Sequence, residues 1–167
     1  MLSPSMSSCV RSSCGAALAL ALLFTAQAHA QGAGPFAGLS GSWSGGGTIS
    51  LSSGANERIR CRAAYDVGSG GRAMQLSIRC ASDSYNFDLA GSVVSQGGVI
   101  SGTWSESSRG VNGTVSGRAS GTQIQAMAQG AGFSAGLSLS THGNRQSVVI
   151  RPQGADVTAV SIALARR

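Results

Sequence analysis

The chain contains no lysine, so its formal charge of +6 comes from arginine alone, set against six acidic residues. That absence removes one nucleotide-binding arrangement at once. Gly45-Gly46-Gly47 is followed by neither the helix nor the lysine of a phosphate loop, and reads as a strand segment suited to close packing or twist. Histidine is nearly as scarce. Beyond residue 30 only His142 remains, in the turn-like Thr141-His142-Gly143-Asn144. A Ser-His-acid triad needs a base held by an orienting partner, and an exposed turn is a poor place to hold one. His, Cys, Asp and Glu nowhere cluster at metal-ligand spacing. These gaps lead to the expectation of a protein that is not an enzyme and carries no metal or cofactor. Aromatic residues make up only 5% of the chain. The arginines therefore lack neighbouring aromatics on which bases could stack, and the strands lack the aromatic girdles and apolar outer band of a membrane barrel. Neither a nucleic-acid partner nor a membrane-spanning role is expected.

What is present begins with an export signal at residues 1–30. Arg11 supplies a sparse positive start, Gly15 to Phe24 a short apolar core, and Ala28-His29-Ala30 a small-x-small cleavage site before Gln31. Cleavage after Ala28 is the alternative to cleavage after Ala30. Ten apolar residues are too few for a permanent bilayer span. Cys9 and Cys14 leave with the signal, which places Cys61 and Cys80 as an even pair in a periplasmic or secreted protein. Residues 31–40 read as a flexible Gly/Pro-bearing lead-in, and 41–167 as one domain.

Within that domain the pattern alternates with a period of two. From Glu57 to Ala81, two alternating runs flank Ser69-Gly70-Gly71. Folding about that turn sets Val67 against Met74, Tyr65 against Leu76, Ala63 against Ile78 and Cys61 against Cys80. Opposed cysteines on one face are spaced for a disulfide. Similar runs recur at about the 8–12-residue spacing of a sandwich or barrel. Ser82-Asp83 reads as a two-residue turn that sets Tyr85, Phe87 and Leu89 opposite Cys80, Ile78 and Leu76. Gly97-Gly98 sets Trp104 across from Gly91. Ser120-Gly121, Gly130-Ala131 and Gly143-Asn144 punctuate the later strands, and a longer loop spans Pro152 to Asp156. The result is about ten sequential antiparallel strands. A meander of that size leaves two bad edges unless its first and last strands meet. The expected fold is all-β, a closed or nearly closed up-and-down barrel.

Two surfaces of such a barrel carry candidate sites. On the inner parity lie Trp43, Tyr65, Phe87 and Trp104, with Glu57 and Glu106 near strand ends and Gln146 further on. The two carboxylates are either ligand-binding groups with a raised pKa or hydrated residues at a barrel mouth. Gly and Ala dominate the inner parity of strands six to eight, which either leaves a pocket or lets the walls close together. On the outer parity, Arg58, Arg60 and Arg62 line strand two, with Arg79 opposite Arg62. Like charges placed opposite each other are unfavourable, so an anion, or Asp66 and Asp83, must relieve them.

Gly41-Ser42-Trp43 resembles the Gly-x-Trp start of the calycin group (lipocalins, fatty-acid-binding proteins and avidins). The resemblance implies that the Trp closes one barrel end and stacks under an arginine from near the last strand, here Arg166 or Arg151. The segments W-S-G-x-G from Trp43 and E-x-I-R-C-R from Glu57 are also similar to small exported alphaproteobacterial proteins, a likeness that implies no particular activity. The expected function is a barrel binding a small apolar or amphipathic ligand, entered near Glu57 or Glu106. The alternative is a structural module that docks an acidic protein or envelope polymer through its arginine strand.

Overall fold

The computed structural model describes residues 33–167; the expected signal peptide, its cleavage site and the first two residues of the lead-in lie outside the described residues. Ten strands follow one another: β1 Gly41–Leu51, β2 Asn56–Gly68, β3 Ala73–Ala81, β4 Asn86–Gln96, β5 Val99–Glu106, β6 Val111–Ser120, β7 Gln123–Gly130, β8 Phe133–His142, β9 Arg145–Gln153 and β10 Val157–Arg166. Each pairs antiparallel with its neighbours in sequence, and β1 pairs with β10 from Trp43↔Arg166 to Leu51↔Val157. The barrel is closed. Followed once round, the registers return to β1 displaced by about twelve residues, the stagger that accompanies strands tilted by roughly 35–45°.

Alternation decides which side chains go inside. β2 is the clearest case: Ile59, Cys61, Ala63 and Tyr65 are buried while Arg58, Arg60, Arg62, Ala64 and Asp66 are exposed. The β2–β3 register is the expected one, Cys61↔Cys80 included, and the two cysteines form a disulfide with Cα atoms 4.1 Å apart. Gly97 and Gly98 both take positive φ (57° and 81°) and close a two-residue turn with Gln96 opposite Val99, the conformation that favours glycine in tight hairpins. Glycines inside strands serve a different end. A Cβ on Gly47 would run into the Ser161 carbonyl, and one on Gly113 into the Gln129 carbonyl. Their absence lets adjacent strands approach and coil at those points.

Several expectations need correction. The β3–β4 turn spans four residues, Ser82 to Tyr85, so Cys80, Ile78 and Leu76 face Phe87, Leu89 and Gly91 rather than Tyr85, Phe87 and Leu89. The Ser82 amide donates to the Tyr85 carbonyl (2.8 Å) and the Tyr85 amide to the Ser82 hydroxyl (3.0 Å), which makes the wider turn self-supporting. The slip is an even number of residues, so the inner face is kept. The later turns sit at Gly121-Thr122 and Ala131-Gly132, one residue beyond the expected positions, and Pro152 and Gln153 belong to β9 rather than to the last loop.

The described part of the lead-in is ordered against the barrel, not loose. Phe36 and Leu39 are 1% and 2% exposed. The Gly34 amide donates to the Gly70 carbonyl (2.7 Å) and the Phe36 amide to the Gly71 carbonyl (3.0 Å). A one-turn 3₁₀ helix at Ala37–Leu39 then brings the Leu39 carbonyl to the Trp43 indole Nε1 (2.7 Å). Burial of two large apolar side chains, worth about 1.5–3 kcal/mol each, explains why a Gly/Pro-bearing segment stays in place. Arg166 completes this plug. Its guanidinium lies 4.6 Å from the Trp43 ring centroid and donates to the Ser40 and Gly38 carbonyls. The arginine stacked on Trp43 is therefore Arg166.

Candidate functional site

The plug occupies the end where β1 begins and β10 finishes, and the interior behind it is occupied by the chain's own side chains. Trp43, Ile49 and Ile59 are almost fully buried. Tyr65 on β2 reaches across to β9, donating from its hydroxyl to Gln146 Oε1 (2.9 Å) while Gln146 Nε2 donates to Thr141 Oγ1 (3.4 Å). Burial pushes the Tyr65 hydroxyl up to about 12, against a smaller opposing effect of the Gln146 hydrogen bond. Gln146, at 2% exposure, is thus a hydrogen-bonding partner within the core.

The opposite end carries the turns 52–55, 82–85, 107–110, 131–132 and 154–156. Both inner carboxylates sit here, and both are engaged. Glu57 accepts from the Ser84 amide (2.6 Å); hydrogen bonding by the Ser82 side chain, then by the Ser84 amide, holds its carboxyl below the ordinary value. Glu106 is 5% exposed and accepts from the amides of Asp88 (3.0 Å), Ser108 (3.0 Å) and Arg109 (2.9 Å). Burial acts to raise the Glu106 pKa, but these hydrogen bonds together outweigh it and leave the carboxyl below its usual range. Neither shows the raised pKa of the ligand-binding alternative. Each glutamate is a loop cap.

What the rim leaves open is apolar. Val111 and Phe133, both of inner parity, are 37% and 36% exposed. Phe87 is half-buried, stacked parallel to Tyr85 at a 6.4 Å centroid separation, and Arg109 holds its guanidinium 5.0 Å from the Phe87 ring. Arg109 also lies 3.7 Å from Glu106 Oε2 and donates to the Asn86 carbonyl (3.3 Å). Trp104 is opposite Gly91 in register, as expected, but its ring leans the other way. Leu76 fills the space over Gly91, while the indole approaches Gly130, donates to the Thr114 carbonyl (3.0 Å) and meets Phe133 edge-on at 5.7 Å. Of the inner candidates, the aromatics at this end are Phe87, which is half-buried, and Trp104, which is buried against Gly130 and Phe133. Arg109, Val111 and Phe133 join them. Alternation marks Val111 and Phe133 as inner residues without showing that the rim leaves them uncovered, and Arg109 sits in a turn where no periodicity operates.

On the outer face, Arg58, Arg60 and Arg62 are all exposed along β2. Arg79 is opposite Arg62, as expected, but its relief comes from Asp88 on β4 at 3.1 Å, not from Asp66 or Asp83. Both partners are well exposed, so the pair is worth about 0–1 kcal/mol. Among the described residues, Arg58, Arg60 and Arg62 form no salt bridge. Arg167 reaches the same face, where its Nε donates to the Ser44 hydroxyl (2.6 Å) beside Arg62.

No helix among the described residues is long and apolar enough to cross a membrane. No family model and no curated protein matches the sequence. Among solved structures, the chain is similar to the crystal structure of Rv2717c from M. tuberculosis, with a TM-score of 0.61 and 13% identity over 78% of this chain and 94% of that one. At that identity the likeness shows a shared fold: this chain is a ten-stranded antiparallel barrel of the same general build.

Proposed function

We propose that this protein is an exported, non-catalytic barrel that binds a small apolar or amphipathic ligand at its open rim. One observation carries the reading. The two ends differ: one is sealed by Phe36, Leu39, Trp43 and Arg166, while the other leaves Val111 and Phe133 exposed and Phe87 half-buried, all three of inner parity. Apolar side chains concentrated at a barrel mouth are a common setting for small-molecule sites. Arg109 above Phe87 adds a cation that suits an amphipathic ligand with an acidic or π-rich head. The calycin-like Gly-x-Trp start and its stacked arginine fit the same reading. The test is native mass spectrometry of the oxidised protein from its own periplasm, paired with fluorescence titration using N-phenyl-1-naphthylamine. The expected result is a retained small molecule or a saturable rise in fluorescence, lost in a Val111→Ser/Phe133→Ser variant. A bare mass together with flat fluorescence would overturn it.

The second reading is docking of an acidic polymer along Arg58, Arg60 and Arg62. Alternate residues of a strand recur about every 6.6 Å, so these three charges form an evenly spaced row, none of them in a salt bridge among the described residues. Dextran sulfate retention that falls steeply with salt and drops in the triple serine variant supports it. Equal retention of the variant sinks it.

A further inference from the structure

The outer face of β6–β9 holds a shallow, wide-open groove of about 540 Å³ whose lining includes Arg118, Gln125, Met127, Gly136, Ser138 and Arg151, with no acidic residue among the residues that form it. The registers place Met127 opposite Gly136 and Gly136 opposite Arg151, while Arg118 faces Gln125 and Gln125 faces Ser138. An arginine therefore stands at each side, with a thioether and a bare glycine between them. Neither Arg118 nor Arg151 forms a salt bridge among the described residues. Gly136 is the floor: no atom lies within 4 Å of where its Cβ would sit.

We propose that this groove binds an elongated dianion whose two acidic groups, joined by an apolar body, pair with Arg118 and Arg151. Three inter-strand steps of about 4.8 Å and an offset of two residues along the strands, about 6.6 Å, set the two arginine stems roughly 16 Å apart. Binding in this mode requires both long side chains to lean inward until their guanidiniums are spaced for the two ends of an eight-carbon dicarboxylate. Arginine favours carboxylates because its planar fork matches both oxygens. Met127 offers a soft, adaptable contact to the methylenes, and Gln125 and Ser138 supply hydrogen bonds at the margin. The site lies on the outside of the barrel and is independent of the rim.

The experiment is an amide-resolved NMR titration of the full oxidised protein with octanedioate, octanoate and 1,8-octanediol. Octanedioate is expected to give saturable shifts centred on Met127, Gly136 and Ser138, with octanoate about tenfold weaker and the diol silent. Arg118→Gln and Arg151→Gln each bring octanedioate down to the octanoate level. Gly136→Phe, whose Cβ meets no atom within 4 Å and whose ring covers the floor, abolishes binding while the Tm stays within error of the parent. The proposal is overturned if octanedioate gives no saturable shift, if octanoate binds equally well, if shifts centre on Arg60 instead, or if Gly136→Phe binds unchanged.

Discussion

Tyr65 shows how one hydroxyl ties together strands that do not pair, β2 and β9. Its oxygen is buried, its hydroxyl donates to Gln146 three strands away, and burial raises its pKa from 10 to about 12. The folded protein therefore keeps a proton through pH 10–12 that the unfolded chain has released. The stability tied to this group is whole below pH 10 and falls as pH rises towards 12. Replacing Tyr65 with Phe leaves the buried Gln146 Oε1 without its donor, which should cost about 1–3 kcal/mol at neutral pH. Urea unfolding across pH 8–12 checks both parts: the variant starts less stable and loses this alkaline slope, and an unchanged slope would assign it to another group. Glu57 and Glu106 teach the converse. Parity places both carboxylates inside near strand ends, which is where they are, but parity carries no information about loop amides. Those amides turn apparent ligand groups into caps.

At the scale of elements, the β2–β3 hairpin is the most legible part of the chain. Its turn, register and disulfide all follow from the spacing of Cys61 and Cys80 about a glycine pair. The β3–β4 turn is less legible because two- and four-residue turns put the same residues inside. Only the hydrogen bonds between Ser82 and Tyr85 decide between them. The lead-in resists reading for a related reason: Ala33 to Ser40 carries no periodicity, and its order comes from where Phe36 and Leu39 find burial. The hairpin also supplies a direct measure of what the crosslink contributes. A bridge closing a loop of this size limits the unfolded chain, so Cys61→Ser should lower unfolding free energy by about 2–5 kcal/mol. Denaturant curves of the parent with and without reductant should show a comparable drop, whereas identical curves would mean that the bond constrains nothing the fold does not already hold.

The whole molecule is legible as far as its closure. The expectation that β1 must meet β10 comes from the cost of exposed edges, and the structure pairs them along nine positions. What lies beyond the sequence pattern is the difference between the two ends, because it depends on a segment outside the strands and on which loops happen to cover the rim. The groove between Arg118 and Arg151 is equally hidden, being a product of neighbours four strands wide. Closure has one further consequence. Nine of the ten strand pairings join segments adjacent in sequence, while the tenth brings together residues more than a hundred positions apart. Hairpins can assemble early at small entropic cost, but the final seam must wait for the entire ladder to curl. The contacts that lock that seam are Arg166 upon Trp43, the Arg167 amide to the Ser42 carbonyl and Thr158 Oγ1 to the Ser50 carbonyl. They act on the last event of folding, and they govern how slowly the barrel comes undone.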